Sequence, residues 1–165
     1  MSLTKTGTDY ESYSYLEAGC DYKTFDLADE LNLTDRVHFC GFLNREQLQG
    51  EYRGADIFCL ASHSEGSPKV VPEAMAAGLP TIATDVGNVT NIIQDGVTGL
   101  VCEPQNVESL AAALRRLLHD REFALRIARA GRMSMEGTGL DPDSREFMGV
   151  VAAHLGLDVE NADGG

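Results

Sequence analysis

The sequence predicts an α/β fold, a Rossmann-like parallel sheet flanked by helices. Three observations carry that prediction. Short β-branched or aromatic runs alternate with stretches of helical periodicity. The links between them are a few residues long and rich in Gly, Pro, Asn and Asp. The run Asp56–Leu60 (DIFCL) is nearly continuous apolar sequence, as a strand covered on both faces needs to be. Alternation with short links gives parallel strands joined by right-handed helical crossovers.

Taken in order, residues 1–24 are rich in Ser, Thr, Gly and Tyr and read as an irregular or adventitious segment. Phe25 to Leu33 has apolar residues near helical spacing, with Asn32 able to end the helix. Val37 to Cys40 reads as a strand closed by Gly41. Asn44 is a good N-cap for a helix running to about Arg53, where Gly54 stops it. After the DIFCL strand, a loop from Ala61 to Val71 enters a helix through Pro72, whose missing N–H is no loss in a first turn. That helix ends at Gly78, with Pro80 beyond it.

Thr81 to Thr84 is the next strand, followed by a short helix over Val89 to Ile93, a turn at Asp95-Gly96 and a strand from Gly99 to Cys102. Asn106 caps a helix from Val107 to Leu118 whose apolar stripe is Leu110, Ala111, Leu114, Leu117 and Leu118. Asp120 starts a further helix that runs to about Ala130, and the pattern decays after Gly131. A last helix is expected over Arg145 to Leu155, ahead of a frayed end. Residues 25–135 are therefore one Rossmann-like domain, and 136–165 a C-terminal helix and tail.

Composition limits the function. The 165 residues are 43% hydrophobic and 24% charged, ordinary for a globular domain with a real core. Lys and Arg number 13 against 26 Asp and Glu, a formal charge of −13. Such a chain repels phosphate backbones and anionic lipid heads at long range, which argues against nucleic acid as a partner. A local array of backbone N–H groups can still hold a small anion. The four cysteines, Cys20, Cys40, Cys59 and Cys102, form no C-x-x-C pair and read as reduced thiols, Cys40 and Cys59 as small buried hydrophobes. With no leader pattern and no run of 18 apolar residues, the expected location is cytoplasmic. His38, His119 and His154 are scattered and form no ligand cluster, so no metal is expected.

In a parallel sheet the ligand site lies beyond the carboxyl ends of the strands, which directs attention to the loop after DIFCL. It reads Ala61-Ser-His-Ser-Glu65-Gly-Ser-Pro-Lys69-Val-Val-Pro72-Glu73. The following helix start offers free N–H groups to an anion, and Lys69 adds a mobile positive charge. Glu65 lies in the loop and Glu73 in the first helical turn, with seven residues between them. A fixed carboxylate can accept two hydrogen bonds from a vicinal diol such as a ribose presents. By residue chemistry alone, ordinary dipole compensation by Glu73 explains the pattern as well. A carboxylate pair for glycoside hydrolysis is also open, although two acids on one loop-helix unit suit it poorly. His63, Asp85 and Gly87 are secondary candidates to line a cleft there.

The segment EGSPKVVPEAMAAGLPTIATDVGNVTNIIQDGVTGLVCEP resembles the core signature of the retaining glycosyltransferases of family 4. That signature is E-x7-E, an A-M-A-x-G-x-P helix end, a strand, a Gly-containing turn and D-G-x-T-G-x-L-V. RVHFCGFLNREQLQGEYRGADIFCLASHSEG resembles the family's strand–helix–strand lead-in. The likeness covers roughly residues 25 to 130.

The resemblance implies one half of a GT-B enzyme, the half that binds a nucleoside diphosphate sugar. It implies that Glu65 lies against the donor sugar near the reacting carbon, and that Glu73 holds the ribose hydroxyls. Gly66, Ser67, Pro68 and Lys69 would touch sugar hydroxyls, and the N–H groups of Val70 and Val71 would approach the diphosphate. Gly41, Phe42 and Leu43 would receive the base through backbone contacts. The donor is a substrate, and no cofactor is implied. Asn88, Asn91 and Pro72 depart from the common pattern, where many members have Gly, Glu and Leu.

The family's acceptor domain, and the basic pair at the first strand–helix turn of its donor domain, find no counterpart in this sequence. The chain is thus expected to be about half an enzyme, inactive alone, with any peripheral membrane attachment made through the missing N-terminal domain. The alternative is a stand-alone, non-catalytic module that binds nucleotide-sugars or another partner.

Overall fold

The structure, a computed structural model, describes residues 2–6, 9–15 and 22–138, with side-chain burial and contacts from Asp26 onward. The chain divides into two compact units, Met1–Cys59 and Leu60–Gly165, where the sequence predicts one domain over 25–135. The expected helix at Arg145 to Leu155 lies outside the described residues.

The first unit departs most from the sequence reading. Residues 1–24 are not simply irregular: β1 (Ser2–Thr6) and β2 (Asp9–Tyr15) form an antiparallel pair, with a register shift between Thr4 and Lys5. Thr and Tyr favour extended backbone, but the sequence there shows no sustained apolar alternation to reveal it. Helix α1 covers Tyr22–Glu30, three residues upstream of the predicted span, and Asn32 ends it in a left-handed conformation at φ 53°. Strand β3 (Val37–Phe39) pairs parallel to β2, and Ser2 and Leu3 of β1 pair antiparallel with Phe58 and Ile57 of β4 (Ile57–Leu60).

Between β3 and β4 lies α2 (Arg45–Gly54), and its cap is reciprocal. Asn44 Oδ1 accepts from the Gln47 N–H at 2.9 Å, and Gln47 Oε1 accepts from the Asn44 N–H at 2.9 Å. Buried Tyr52 on this helix meets Phe58 edge-on at 6.0 Å between centroids.

In the second unit, β5 (Thr81–Thr84) and β6 (Leu100–Cys102) run parallel, with Ile82 opposite Leu100 and Thr84 opposite Cys102. Helix α3 (Val70–Ala76), α5 (Val107–His119) and α6 (Arg121–Met135) all pack on β5, and α3 also packs on α6. The core is Val71, Ala74, Met75, Ile82, Ala83, Val89 and Ile127, all 0% exposed. Each large aliphatic side chain buried this way contributes roughly 1.5–3 kcal/mol.

Helix α3 begins two residues before Pro72, because a proline in the first turn removes only an N–H that had no helical partner. It ends in a Schellman pattern, with Gly78 N–H to Met75 O at 2.9 Å and Leu79 N–H to Ala74 O at 3.1 Å. The short α4 (Val89–Ile92) leads into the turn before β6.

The caps of α5 and α6 form as the sequence predicts. Asn106 Oδ1 accepts from Ser109 N–H at 3.0 Å, and Asp120 Oδ1 from Phe123 N–H at 2.9 Å. Of the predicted α5 stripe, only Leu117 is buried; the others are half-covered. Arg116 lays its guanidinium over the buried Phe123 ring at 3.6 Å, a contact worth about 0.5–1 kcal/mol at such a site.

Helix α6 continues past Gly131 to Met135. A Cβ at Gly131 would stand 2.6 Å from the Thr98 carbonyl, so the glycine marks a close crossing and not an end. Of the cysteines read as buried, Cys59 is buried and Cys40 half-covered; Cys102 is buried as well.

Candidate functional site

The loop between β4 and α3 belongs to the second unit and is held from beneath. Its first residues hang on Thr84, the last residue of β5, which is 4% exposed. The Thr84 hydroxyl stands 2.7 Å from the Ser62 carbonyl oxygen and 3.4 Å from that of Leu60. A buried hydroxyl needs such acceptors, and here they fix where the chain leaves β4.

The tip of the loop rests on Gly87. This residue has φ +57°, and a Cβ there would collide with the Gly66 carbonyl and lie 2.6 Å from that of Glu65. No side chain fits between the two strand-end loops. Asn88, which follows it, has a buried Oδ1 with no hydrogen-bond partner among the described residues.

Above this support the bend is open. Glu65, Gly66, Ser67 and Lys69 are exposed, while Pro68 is buried and tethers the loop to the domain. A Cβ built on Gly66 meets nothing within 4 Å, and Gly66 is not in a left-handed conformation. The fold therefore does not itself require glycine at this position, which differs in this respect from Gly87.

Glu65 is not loose. Ser62 donates its hydroxyl to Glu65 Oε1 at 2.9 Å. The sequence reading passes over Ser62; its signal was a serine three residues before the acid in a loop, a spacing that can bring the two side chains together.

Glu73 is half-buried in the first turn of α3. Lys69 precedes that helix in a helical conformation, and its side chain makes no capping bond. The Val71 N–H, predicted to face a diphosphate, donates to the Pro68 carbonyl at 3.2 Å, and the Glu73 N–H donates to Lys69 O at 3.2 Å. Val70 is half-buried and Val71 fully buried.

Gly41, Phe42 and Leu43 lie in the first unit, immediately after β3. Gly41 has φ +63°, Leu43 is half-covered, and the Phe42 ring is 84% exposed. His63 and Asp85 are exposed, and the Asp85 N–H joins the Cys102 carbonyl at 2.8 Å. Among the described residues, no three His, Cys, Asp or Glu side chains gather as a metal site needs. Nor, among those residues, is any helix long and apolar enough to cross a membrane.

The family model for glycosyl transferases group 1 matches residues 18–134. The chain belongs to this family. The sulfoquinovosyl transferase SQD2 of Arabidopsis thaliana is 41% identical over 101 residues, which are 59% of this chain and 20% of that protein. The solved sucrose-phosphate synthase of Thermosynechococcus elongatus superposes with a TM-score of 0.68 at 32% identity, covering 81% of this chain and 33% of that one. Anabaena Alr3699/HepE, solved in complex with UDP and glucose, is alike in fold, with a TM-score of 0.65 at 24% identity over 81% of this chain and 35% of that chain.

The structural neighbours are GT-B glycosyltransferases, and the α/β class read from the sequence stands. This chain spans only about a fifth to a third of the length of these proteins.

Proposed function

We propose that this group 1 glycosyltransferase chain is the donor-binding domain of a retaining enzyme of family 4, which moves a sugar from a nucleoside diphosphate sugar to an acceptor hydroxyl. The observation that carries the reading is the bend at 65–67, packed from below on Gly87, led into by residues that Thr84 holds, and open above at Gly66. A glycine that its own fold does not demand, at an exposed bend beside an oriented carboxylate, suits close approach of a polar ligand to backbone.

In this reading Glu65 and Glu73 are the two acids of E-x7-E. Glu65 supports positive charge on the sugar ring as the bond from the anomeric carbon to the diphosphate breaks. The departing diphosphate oxygen takes the proton of the acceptor hydroxyl. The acceptor oxygen bonds to the same face of the carbon, so configuration is retained. Glu73 holds the ribose diol, and Gly66, Ser67 and Pro68 line the sugar.

Lys69 and the amides of Val70 and Val71 neutralise the diphosphate without a metal or other cofactor. The Val71 amide would have to share its long bond to Pro68 with the phosphate oxygen. Gly41, Phe42 and Leu43 receive the base. An acceptor domain outside this chain completes a cytoplasmic enzyme, and any contact with a membrane would come through it.

UDP-glucose is the first donor to try, because the HepE protein of like fold is solved with UDP and glucose. Saturation-transfer NMR and thermal shift with UDP, GDP and their sugars test the proposal. A ligand that binds only native protein raises the melting temperature by mass action. Binding by a nucleoside diphosphate sugar is expected. No response from folded protein to any of them contradicts the reading.

A further inference from the structure

The bond between Ser62 and Glu65 has no role in helix capping. Helix α3 begins only at Val70, five residues after the acid. Ser62 is half-covered and Glu65 exposed, a setting in which a side-chain pair adds little to folding stability. Yet the Ser62 backbone is itself anchored. Its carbonyl accepts from the buried Thr84 hydroxyl at 2.7 Å, and Thr84 O in turn accepts from the Val86 N–H at 2.9 Å.

Two hydrogen bonds thus link the end of β5 to the acid: Thr84 holds the Ser62 backbone at its carbonyl, and the Ser62 hydroxyl holds Glu65 Oε1. The second occupies one carboxylate oxygen and leaves Oε2 for a ligand. The Glu65 and Gly66 carbonyls pack closely against Gly87, in the turn after β5.

We propose that Ser62, anchored by Thr84, is a positioning residue that orients the Glu65 carboxylate toward the donor sugar. The inference rests on the donor-site reading above. A flexible glutamate at an exposed bend samples many rotamers, and a catalytic acid is effective only near its productive geometry.

The test compares wild type with Ser62→Ala, Ser62→Thr and Glu65→Gln. In the unliganded protein, three-bond couplings at Glu65 report χ1. Wild type and Ser62→Thr are expected to hold one rotamer, and Ser62→Ala to show averaging. In the complete transferase with UDP-glucose, Ser62→Ala is expected to lower kcat roughly tenfold, as for loss of one hydrogen bond to a charged group, with KM changed less than about twofold. Ser62→Thr restores the rate, and Glu65→Gln falls at least as far as Ser62→Ala.

Should Ser62→Ala melt early, Ser62→Cys, a weak donor of similar size, takes its place with the same expectation. If Glu65→Gln is impaired while Ser62→Ala keeps both kcat and the wild-type couplings, the positioning role is overturned and the donor site survives. If wild type neither binds nor turns over any nucleoside diphosphate sugar, the functional reading fails and the positioning role with it.

Discussion

The carbonyl oxygen of Gly66 lies where a Cβ on Gly87 would have to be. One glycine presents the bend, and the other, in the turn after β5, supports it. The two therefore answer to different constraints, and substitution separates them.

Gly87→Ala should damage the fold. Alanine at φ +57° costs about 1–2 kcal/mol from backbone conformation alone, and the collision with two carbonyls adds to it. Calorimetry should show a melting temperature lowered by several degrees, on the scale of about 2–4 °C per kcal/mol for a chain of this size. A melt unchanged from wild type would mean that the two loops part easily.

Gly66→Ala should do the reverse. Space is open around the added methyl and φ is ordinary, so the melt should stay within about 0.5 kcal/mol of wild type. Affinity for a nucleoside diphosphate sugar, followed by titration calorimetry, should fall at least roughly tenfold, as for a ligand atom forced off a backbone contact. Full affinity in the variant would place the donor elsewhere.

Gly131→Ala tests the crossing of α6 over the residues before β6. In an exposed helix interior this change stabilises by about 1 kcal/mol. Here the Thr98 carbonyl would stand 2.6 Å from the new methyl carbon, so the sign should reverse and the melting temperature fall. A rise in melting temperature would show that α6 can shift outward without cost.

Much of the fold was legible where the chemistry is local. The caps at Asn44, Asn106 and Asp120 each need only a side-chain oxygen three residues before an N–H, and all three form. Strand β5 has the predicted bounds because Thr81 to Thr84 is short, apolar at its centre and closed by Pro80 and Asp85. The pair β1–β2 was not legible, because the segment is rich in Ser, Thr and Gly and shows no sustained apolar alternation in sequence. The end of α6 was misplaced because a glycine that stops a helix and one that admits a neighbouring carbonyl look alike in sequence.

Within the candidate site, Glu65, Gly66 and Lys69 were legible as exposed loop chemistry. The hold of Thr84 on the loop was not, since it depends on a bond between residues 22 apart along the chain, while Ser62, only three residues before the acid, was passed over.

Cys102 gives a test in alkaline solution. Burial pushes its thiol above the ordinary value; the hydrogen bond with Ser109 opposes that rise, and the nearby Asp95 charge adds to it. Below the unfolded thiol's pKa both states are protonated, and the group adds no pH dependence. Above it the unfolded chain releases a proton that the folded chain retains, so stability falls as pH rises toward the folded pKa. Denaturation at pH 8 to 10 should therefore show a steeper loss for wild type than for Cys102→Ala. Parallel curves would mean that the thiol is not shielded. Alkylation should reach half-covered Cys40 before buried Cys59 and Cys102.

If the bend between β4 and α3 receives a nucleoside diphosphate sugar, as proposed, its amides must respond to the donor. Amide chemical-shift mapping during titration with UDP-glucose, and with GDP-mannose if that is silent, tests it most directly. The amides of Gly66, Ser67, Lys69 and Val70 are expected to shift most within residues 60–138, with saturation at a common dissociation constant. Saturable binding that leaves those four amides unmoved while residues on α5 or α6 respond would contradict it.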